Sequence, residues 1–240
     1  MRPLDLTWRY QNKLLALLGD TEFRRLAPLL TPCEVEHRKT LVAQGGLIHH
    51  IDFPCTCLYS AVIGMTDGNV VEVGTIGNEG MTCLNALHDG RVATASVICQ
   101  IPGLTLRMEI GDFQWEADCN PHFRTVLDLY SQAYLAQVEQ SVACNKLHPL
   151  EQRAARWLLM THDRVEQDEF PLTQEVLAIM LGAQRPTVSL LARKFERAGA
   201  LTYTRGTMRI LRRDLLERMS CECYAASRQH FERLLGLRVG

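Results

Sequence analysis

The sequence predicts an α+β protein: an N-terminal antiparallel β-roll of short strands, one long helix, and a C-terminal helix–turn–helix followed by a basic hairpin. Three observations carry this. Residues 33–112 hold short apolar runs cut at fairly regular intervals by Gly, Pro and Asp-Gly pairs, the texture of a roll or barrel. From Pro121 to Pro149 there is no intervening Gly or Pro, and apolar side chains recur at three- and four-residue steps. Beyond Pro171, the spacing of caps, glycines and apolar positions is that of two short helices and a hairpin. The boundaries implied are 1–120 for the roll, 121–147 for the long helix and 148–240 for the C-terminal domain.

Before the roll, Leu14, Leu15, Leu17, Leu18, Phe23, Leu26, Leu29 and Leu30 suit one or two short helices with a break at Gly19-Asp20. Strands are expected at 57–63, 70–76, 96–101 and 104–110. Gly45-Gly46, Asp67-Gly68, Gly77, Gly80, Asp89-Gly90 and Pro102-Gly103 punctuate them. Leu127, Tyr130, Tyr134, Val138 and Val142 then mark an amphipathic helix of about six or seven turns. It carries more apolar face than one small roll covers, so a second copy of the chain is the expected partner. Ala154, Ala155, Trp157, Leu158 and Leu159 form another helical face, and 163–169 reads as a polar loop.

Composition bounds the function. With 240 residues, 47% hydrophobic and 22% charged, the chain is neither disordered nor fibrous. The absence of an apolar run approaching about 18 residues predicts no membrane span. Nine scattered cysteines and no apolar N-terminal run predict a reducing, cytoplasmic location. The net charge of -1 argues at first against nucleic acid, but it is a sum of unlike parts. Residues 1–147 carry 11 basic and 16 acidic side chains, whereas 171–213 carry 8 basic against 2 acidic. A compact segment of net +6 is an electrostatic footprint for phosphate.

That segment has internal logic. Thr173, itself a candidate DNA contact, can N-cap a helix through Val176, Leu177, Ala178, Met180 and Leu181. Gly182 can supply the positive φ of a tight turn, and a second helix starts near Gln184-Arg185-Pro186 with Pro in its first turn. Val188, Leu191, Ala192 and Phe195 face inward, leaving Gln184, Arg185, Thr187, Ser189, Arg193 and Lys194 outward. In a helix-turn-helix such residues enter the major groove. Arg185 suits guanine O6/N7, Gln184 suits adenine, and Arg193 and Lys194 suit phosphates. The alternation over 201–211 around Arg205-Gly206 predicts a hairpin that presents Arg205 to a phosphate. Helix, turn, helix and basic hairpin make a winged helix.

Roll, long helix and winged helix in this order resemble the Crp/Fnr superfamily of bacterial transcription regulators. The most specific parts are Leu150-Glu-Gln-Arg-Ala-Ala-Arg-Trp-Leu-Leu and residues 172–211. The resemblance implies a roll of the cyclic-nucleotide-binding type, a homodimer formed through 121–147 and a near-palindromic operator in double-stranded DNA. It also implies a signal relayed from roll to DNA, and RNA polymerase as a further partner. The departures are specific. The family's recognition helix commonly has Glu directly after the position of Arg185 and Arg four beyond; here these are Pro186 and Leu190, which implies a different half-site. At the positions that hold ribose and cyclic phosphate, Thr82-Cys83 stands for Gly-Glu and Ala93-Thr94 for Arg-Ser, with Arg91 the nearest basic residue. Loss of the bidentate arginine predicts no tight cyclic AMP binding. The effector pocket, if retained, comprises Thr82, Cys83, Arg91 and Thr94, its ligand open; a cyclic dinucleotide bound elsewhere is one alternative.

No metal, cofactor or catalytic group is assigned. Only Cys33 precedes residue 55, against an N-terminal iron–sulfur cluster; His49, His50 and His88 are ordinary haem candidates. Cys55/Cys57 and Cys221/Cys223 are spaced more tightly than usual zinc pairs and read first as buried thiols, with a shared ligand at Cys55/Cys57 and a redox or metal role for Cys221 and Cys223 left open, and with His148 as part of a hinge. Phosphate-loop, H-E-x-x-H and G-x-S-x-G motifs are absent, so nothing assembles an enzyme. The expected function is a DNA-binding transcription regulator; the alternative is a sensor or interaction module that uses its winged helix for docking.

Overall fold

The computed structural model describes residues 4–88, 90–165 and 167–239. Asp89 of the expected Asp89-Gly90 turn and Glu166 of the expected 163–169 loop lie outside the described residues, as do residues 1–3. After a 3-10 turn at Leu6–Gln11, two short helices follow, α1 (Lys13–Ala16) and α2 (Asp20–Leu26). The Asn12 side chain caps α1 by accepting from Leu15 N, and the helices part at Gly19 as the sequence predicts.

The roll comprises β1 (Leu30–Val35), β2 (Thr40–Val42), β3 (His50–Pro54), β4 (Leu58–Gly64), β5 (Val70–Ile76), β6 (Ser96–Ile101) and β7 (Gly103–Glu109). They form two antiparallel sheets, β1-β7-β3 and β2-β6-β4-β5. The four strands expected from sequence correspond to β4–β7; β1–β3 are additional. Inward residues such as Ile51, Phe53, Tyr59, Val97, Leu106 and Met108 close one core.

Helix α3 (Ile110–Cys119) leads into α4 (Pro121–Leu147), capped by Asn120, whose side chain accepts from Phe123 N. Phe113 and Phe123 pack edge to face, 6.1 Å between centroids. One side of α4 is buried through Val126, Tyr130, Ala133, Gln137 and Cys144. Along the opposite side Leu135 and Val142 are 56% and 67% exposed.

The chain breaks at His148, in extended geometry, and α5 (Leu150–Val165) begins a second core. The rest is β8 (Glu169–Pro171), α6 (Gln174–Leu181), α7 (Arg185–Arg197), β9 (Leu201–Thr204), β10 (Thr207–Ile210), α8 (Arg213–Met219) and α9 (Cys223–Leu235). β8-β10-β9 form a small antiparallel sheet. Helix α5 extends to Val165, and Glu169 already belongs to a strand, so the expected loop is shorter than 163–169. The last helix returns to the first core: Phe231, Leu235 and Val239 are buried there, with Phe231 6.4 Å from the Tyr130 ring.

One buried ion pair ties these parts together. Arg164 Nε meets Glu79 Oε1 at 2.7 Å, with both side chains almost wholly buried. Its Nη2 donates to Gln137 Oε1 at 2.8 Å and its Nη1 to Met160 O at 2.9 Å. Gln137 Nε2 donates in turn to Thr75 O at 3.0 Å. The roll, α4 and α5 are thereby joined by charge-assisted, directional bonds. Gly77 is required: a Cβ there would lie 2.7 Å from the Arg164 stem. Nearby, Trp157 Nε1 donates to Glu72 Oε2 at 2.6 Å. Burial pushes the Glu72 carboxyl up to about 7, against hydrogen bonds from Ser60, Trp157 and Thr75 and the charge of Arg156.

Removing one partner of a buried pair strands the other charge. Arg164→Met should cost about 3–5 kcal/mol in denaturant unfolding, and adding Glu79→Met should recover part of that loss. A second expectation concerns pH. The folded Glu72 carboxyl retains its proton between its ordinary value of 4.5 and about 7, where the unfolded one has lost it. Stability from this group therefore falls as pH rises through that window. The thermal midpoint of Glu72→Gln, compared with the parent chain at pH 5 and pH 8, should lack that component of the decline.

Candidate nucleic-acid interface

The helix–turn–helix forms where the sequence places it. Leu172 N donates to Gly206 O at 2.8 Å, setting the start of α6 against the hairpin. Thr173 Oγ1 accepts from Val176 N at 3.2 Å and caps α6. Gly182 ends that helix with φ 58°, and Ala183 N donates back to Ala178 O at 2.9 Å, a left-handed C-terminal cap that suits glycine. Helix α7 starts after Gln184 with Pro186 in its first turn; Val188, Leu191, Ala192 and Phe195 are buried. The Gln184 side chain makes no capping bond.

The outer side of α7 presents Gln184, Arg185, Thr187, Leu190, Arg193 and Lys194 to solvent. Arg185 and Arg193 have no ion pair among the described residues. Lys194 pairs with Glu151 at the start of α5. Ser189 is half-buried and points back: its hydroxyl bonds Gln174 Oε1 at 2.6 Å. Thr173 is likewise engaged, as the α6 cap and as acceptor from Arg38 Nη2 at 3.3 Å. β9 and β10 pair Thr204 with Thr207 around Arg205 and Gly206, both at positive φ, the geometry of a type I′ turn. Arg205 is exposed at that tip. Arg209, exposed on β10, is a further cation that sequence reasoning does not single out; its alternation with buried Met208 and Ile210 is the signal that could have found it.

The turn lies against the roll. An added Cβ on Gly182 would sit 3.6 Å from Val71, and Arg38 reaches Glu175 at 3.5 Å. Gln184 and Arg185 stand on the wall of a cleft shared with Met65, Asn69 and Val70 of the β4–β5 hairpin.

The roll's own cavity, about 190 Å3, is bounded by Ala61, Ile63, Val73, Cys83, Thr94 and, from α4, Tyr134 and Val138. None of the described residues lining it is charged. Of the four pocket residues expected from sequence, Cys83 and Thr94 line this cavity. Cys83 has φ 56°, rare for a side-chain-bearing residue. Thr82 is not among the lining residues; it is buried, its hydroxyl accepting from Asp52 N at 2.9 Å. Arg91 lies on the surface, donating to Gln114 Oε1 at 2.9 Å. Cys55 and Cys57 are buried in the roll, where desolvation pushes the Cys55 thiol up to about 12, consistent with an inert role. Among the described residues one set of metal-ligand-type side chains converges, away from α7: Cys144, His148, Cys221 and Cys223. The sequence presents His148 as a hinge residue and leaves a redox or metal role for Cys221 and Cys223 open; only the tertiary fold brings them to Cys144.

No helix of the described chain is long and apolar enough to cross a membrane. No curated protein gives a significant sequence match. Residues 152–219, from α5 through α8, match the model of the Crp-like helix-turn-helix domain. Solved structures extend the likeness to the roll and the long helix. TTHB099, a transcriptional regulator of the CRP family from Thermus thermophilus, is 16% identical, covering 78% of this chain and 96% of that one, with a TM-score of 0.66. FixK2 from Bradyrhizobium japonicum is 13% identical over 80% and 98%, TM-score 0.67. The c-di-GMP responsive global regulator CLP of Xanthomonas campestris is 12% identical over 80% and 99%, TM-score 0.63. The chain therefore carries a Crp-like helix-turn-helix domain within the architecture of the Crp/Fnr transcription regulators.

Proposed function

We propose that the protein is a sequence-specific DNA-binding transcription regulator that reads a near-palindromic operator as a homodimer. The carrying observation is the outer side of α7, where Arg185 and Arg193 project without a carboxylate partner beside Gln184 and Thr187 on a Crp-like helix-turn-helix. An unpaired guanidinium in the first turn of a recognition helix has the reach and fork geometry for guanine. Arg205 at the hairpin tip, with Arg193 and Lys194, would neutralise phosphates. Thr173 and Ser189 would act mainly by holding the two helices in register, since their hydroxyls are engaged within the fold. Leu190, 65% exposed, offers an apolar contact of the kind that meets a thymine methyl. In this reading residues 1–120 sense, 121–147 pair and 148–240 read DNA.

The second copy has a defined seat. Ser131, Leu135, Val138, Val142 and Asn145 follow steps of four, three, four and three along α4, with Leu135 and Val142 exposed and Val138 at the edge that borders the roll's cavity. That is the spacing of a coiled-coil seam. The roll cavity supports no response to cyclic AMP: without a cationic side chain on its described lining it offers no partner to a buried phosphate. A neutral, largely apolar ligand fits its chemistry.

Fluorescence anisotropy with operator DNA selected from a random pool tests the reading. Affinity should fall steeply with salt as counterions are released. Arg185→Ala should cost about 1–3 kcal/mol and relax preference at one base pair; Arg205→Ala should weaken all sequences alike and lower the salt slope by about one. A protein-docking role for α7 would give no salt slope and no selected site. For the seam, Leu135→Glu with Val142→Glu should yield a monomer in sedimentation velocity. That variant should lose affinity for the palindrome while retaining weak half-site binding.

A further inference from the structure

Cys144 lies in the last turn of α4 and His148 just beyond it, where its N–H donates to Cys144 O at 3.0 Å. Cys221 and Cys223 flank the bend between α8 and α9, where Tyr224 N donates to Cys221 O at 3.1 Å. The bend turns both sulfurs toward α4 despite the single residue between them. The three thiols are buried and form a cluster of their own. The Sγ atoms of Cys144 and Cys221 are 3.5 Å apart, Cys223 Sγ and His148 Nδ1 are 3.5 Å apart, and all four ligand atoms fall within 4.8 Å of one another.

We propose that Cys144, His148, Cys221 and Cys223 form a structural zinc site that clasps the hinge between α4 and α5 to the start of the C-terminal helix. Zn–S and Zn–N bonds of about 2.3 and 2.0 Å in a tetrahedron imply S–S and S–N edges of about 3.8 and 3.5 Å. The observed set needs only small side-chain rotations to reach them. An iron–sulfur cluster, which carries its cysteine sulfurs outside a cage of iron and sulfide, requires a wider spread. Three thiolates and an imidazole select a soft or borderline cation over magnesium or calcium.

The surroundings match a metal site independently of the ligands. His148 Nε2 lies 3.2 Å from Glu222 Oε1; an imidazole that donates there presents Nδ1 as the free lone pair, the usual carboxylate–histidine–zinc arrangement. Gln140 Nε2 donates to Cys223 Sγ at 3.0 Å, as outer groups do to ligand sulfurs. Arg156 is 6% exposed, forms no ion pair among the described residues and leaves its Nε without a hydrogen bond. Its Nη2 reaches Ser141 on α4 and Ser227 on α9, at 2.9 and 3.4 Å. Zinc with three thiolates carries one negative charge, and Arg156 supplies the balancing positive charge. Binding would release the three thiol protons to solvent.

The test is metal analysis of the full chain, purified without chelator or polyhistidine tag from cells grown with zinc. About one equivalent per chain is expected. Cys221→Ser with Cys223→Ser should reduce it to background, while Cys119→Ser, an exposed thiol outside the cluster, should leave it unchanged. Because the double variant loses two buried thiols and can unfold for that reason alone, the parent chain is also stripped with chelator and titrated with Co2+. Tetrahedral d–d bands together with thiolate-to-cobalt charge transfer, saturating at one equivalent and displaced by Zn2+, support the site. Absence of retained zinc together with a cobalt spectrum lacking those bands overturns it. So does a Cys144–Cys221 disulfide found by peptide mapping of freshly purified protein.

Discussion

A buried guanidinium, Arg164, joins the C-terminal domain to both the roll and α4. Arg164 cannot leave water without an anion and a full set of acceptors, and it finds Glu79 from the roll, Gln137 from α4 and Met160 O from its own helix. Each acceptor belongs to a different part of the molecule or to a different turn, so the fork is satisfied in one register only. An apolar plug of equal volume would pack as tightly and tolerate sliding. Glu79 Oε2 has no hydrogen-bond partner among the described residues, which makes the pair costlier than its 2.7 Å distance suggests. Such a contact contributes little net stability and much geometric definition.

The same turn of α4 borders the roll's cavity. Tyr134 and Val138 line it, and Gln137 between them holds Arg164. The cavity and the ion pair thus share one turn of α4. The acidic half of the chain contributes this uncharged cavity and its buried carboxylates, Asp52 against Arg107 and Glu79 against Arg164. The basic half leaves its guanidinium groups outward on α7 and the hairpin. The near-neutral total is thus the sum of an acidic first half and a second half whose unpaired Arg185 and Arg193 stand exposed on α7.

Legibility in the sequence follows the range of the interactions. The helix–turn–helix and hairpin are readable because local signals set them: the Thr173 cap, the left-handed turn at Gly182, Pro186 in a first turn and alternation around Arg205-Gly206. The three N-terminal strands escape notice because their patterns are broken. β1 contains Pro32 and is held in its sheet by β7 alone, β2 has three residues, and β3 carries a buried Asp52 that is matched only across strands, by Arg107 of β7 and the hydroxyl of Tyr59 on β4. Helix α3 is hidden because Gly111 and an exposed Trp115 obscure its periodicity. Long-range contacts are not readable at all. Nothing local says that Phe231 lies against Tyr130, that Arg91 turns away from the cavity, or that Cys144 meets Cys221.

These last contacts explain how a reading unit stays oriented across a broken helix. At its outer edge α6 touches the roll through exposed Arg38, Thr173 and Glu175, a kind of contact worth about 0–1 kcal/mol and screened by salt. At its inner edge the unit is held twice: by α5, through Arg164 and Trp157, and by α9, which leaves the thiol cluster and runs back along α4 into the roll's core. The winged helix is thus tied to α4 by buried groups on one side, and on the other it rests on the roll through the packing of α6 and Gly182 against β5 together with these exposed polar contacts. On the roll side, Gln184 and Arg185 of α7 share a cleft with Met65, Asn69 and Val70 of the β4–β5 hairpin, so the residues best suited to read bases are also those set nearest the roll.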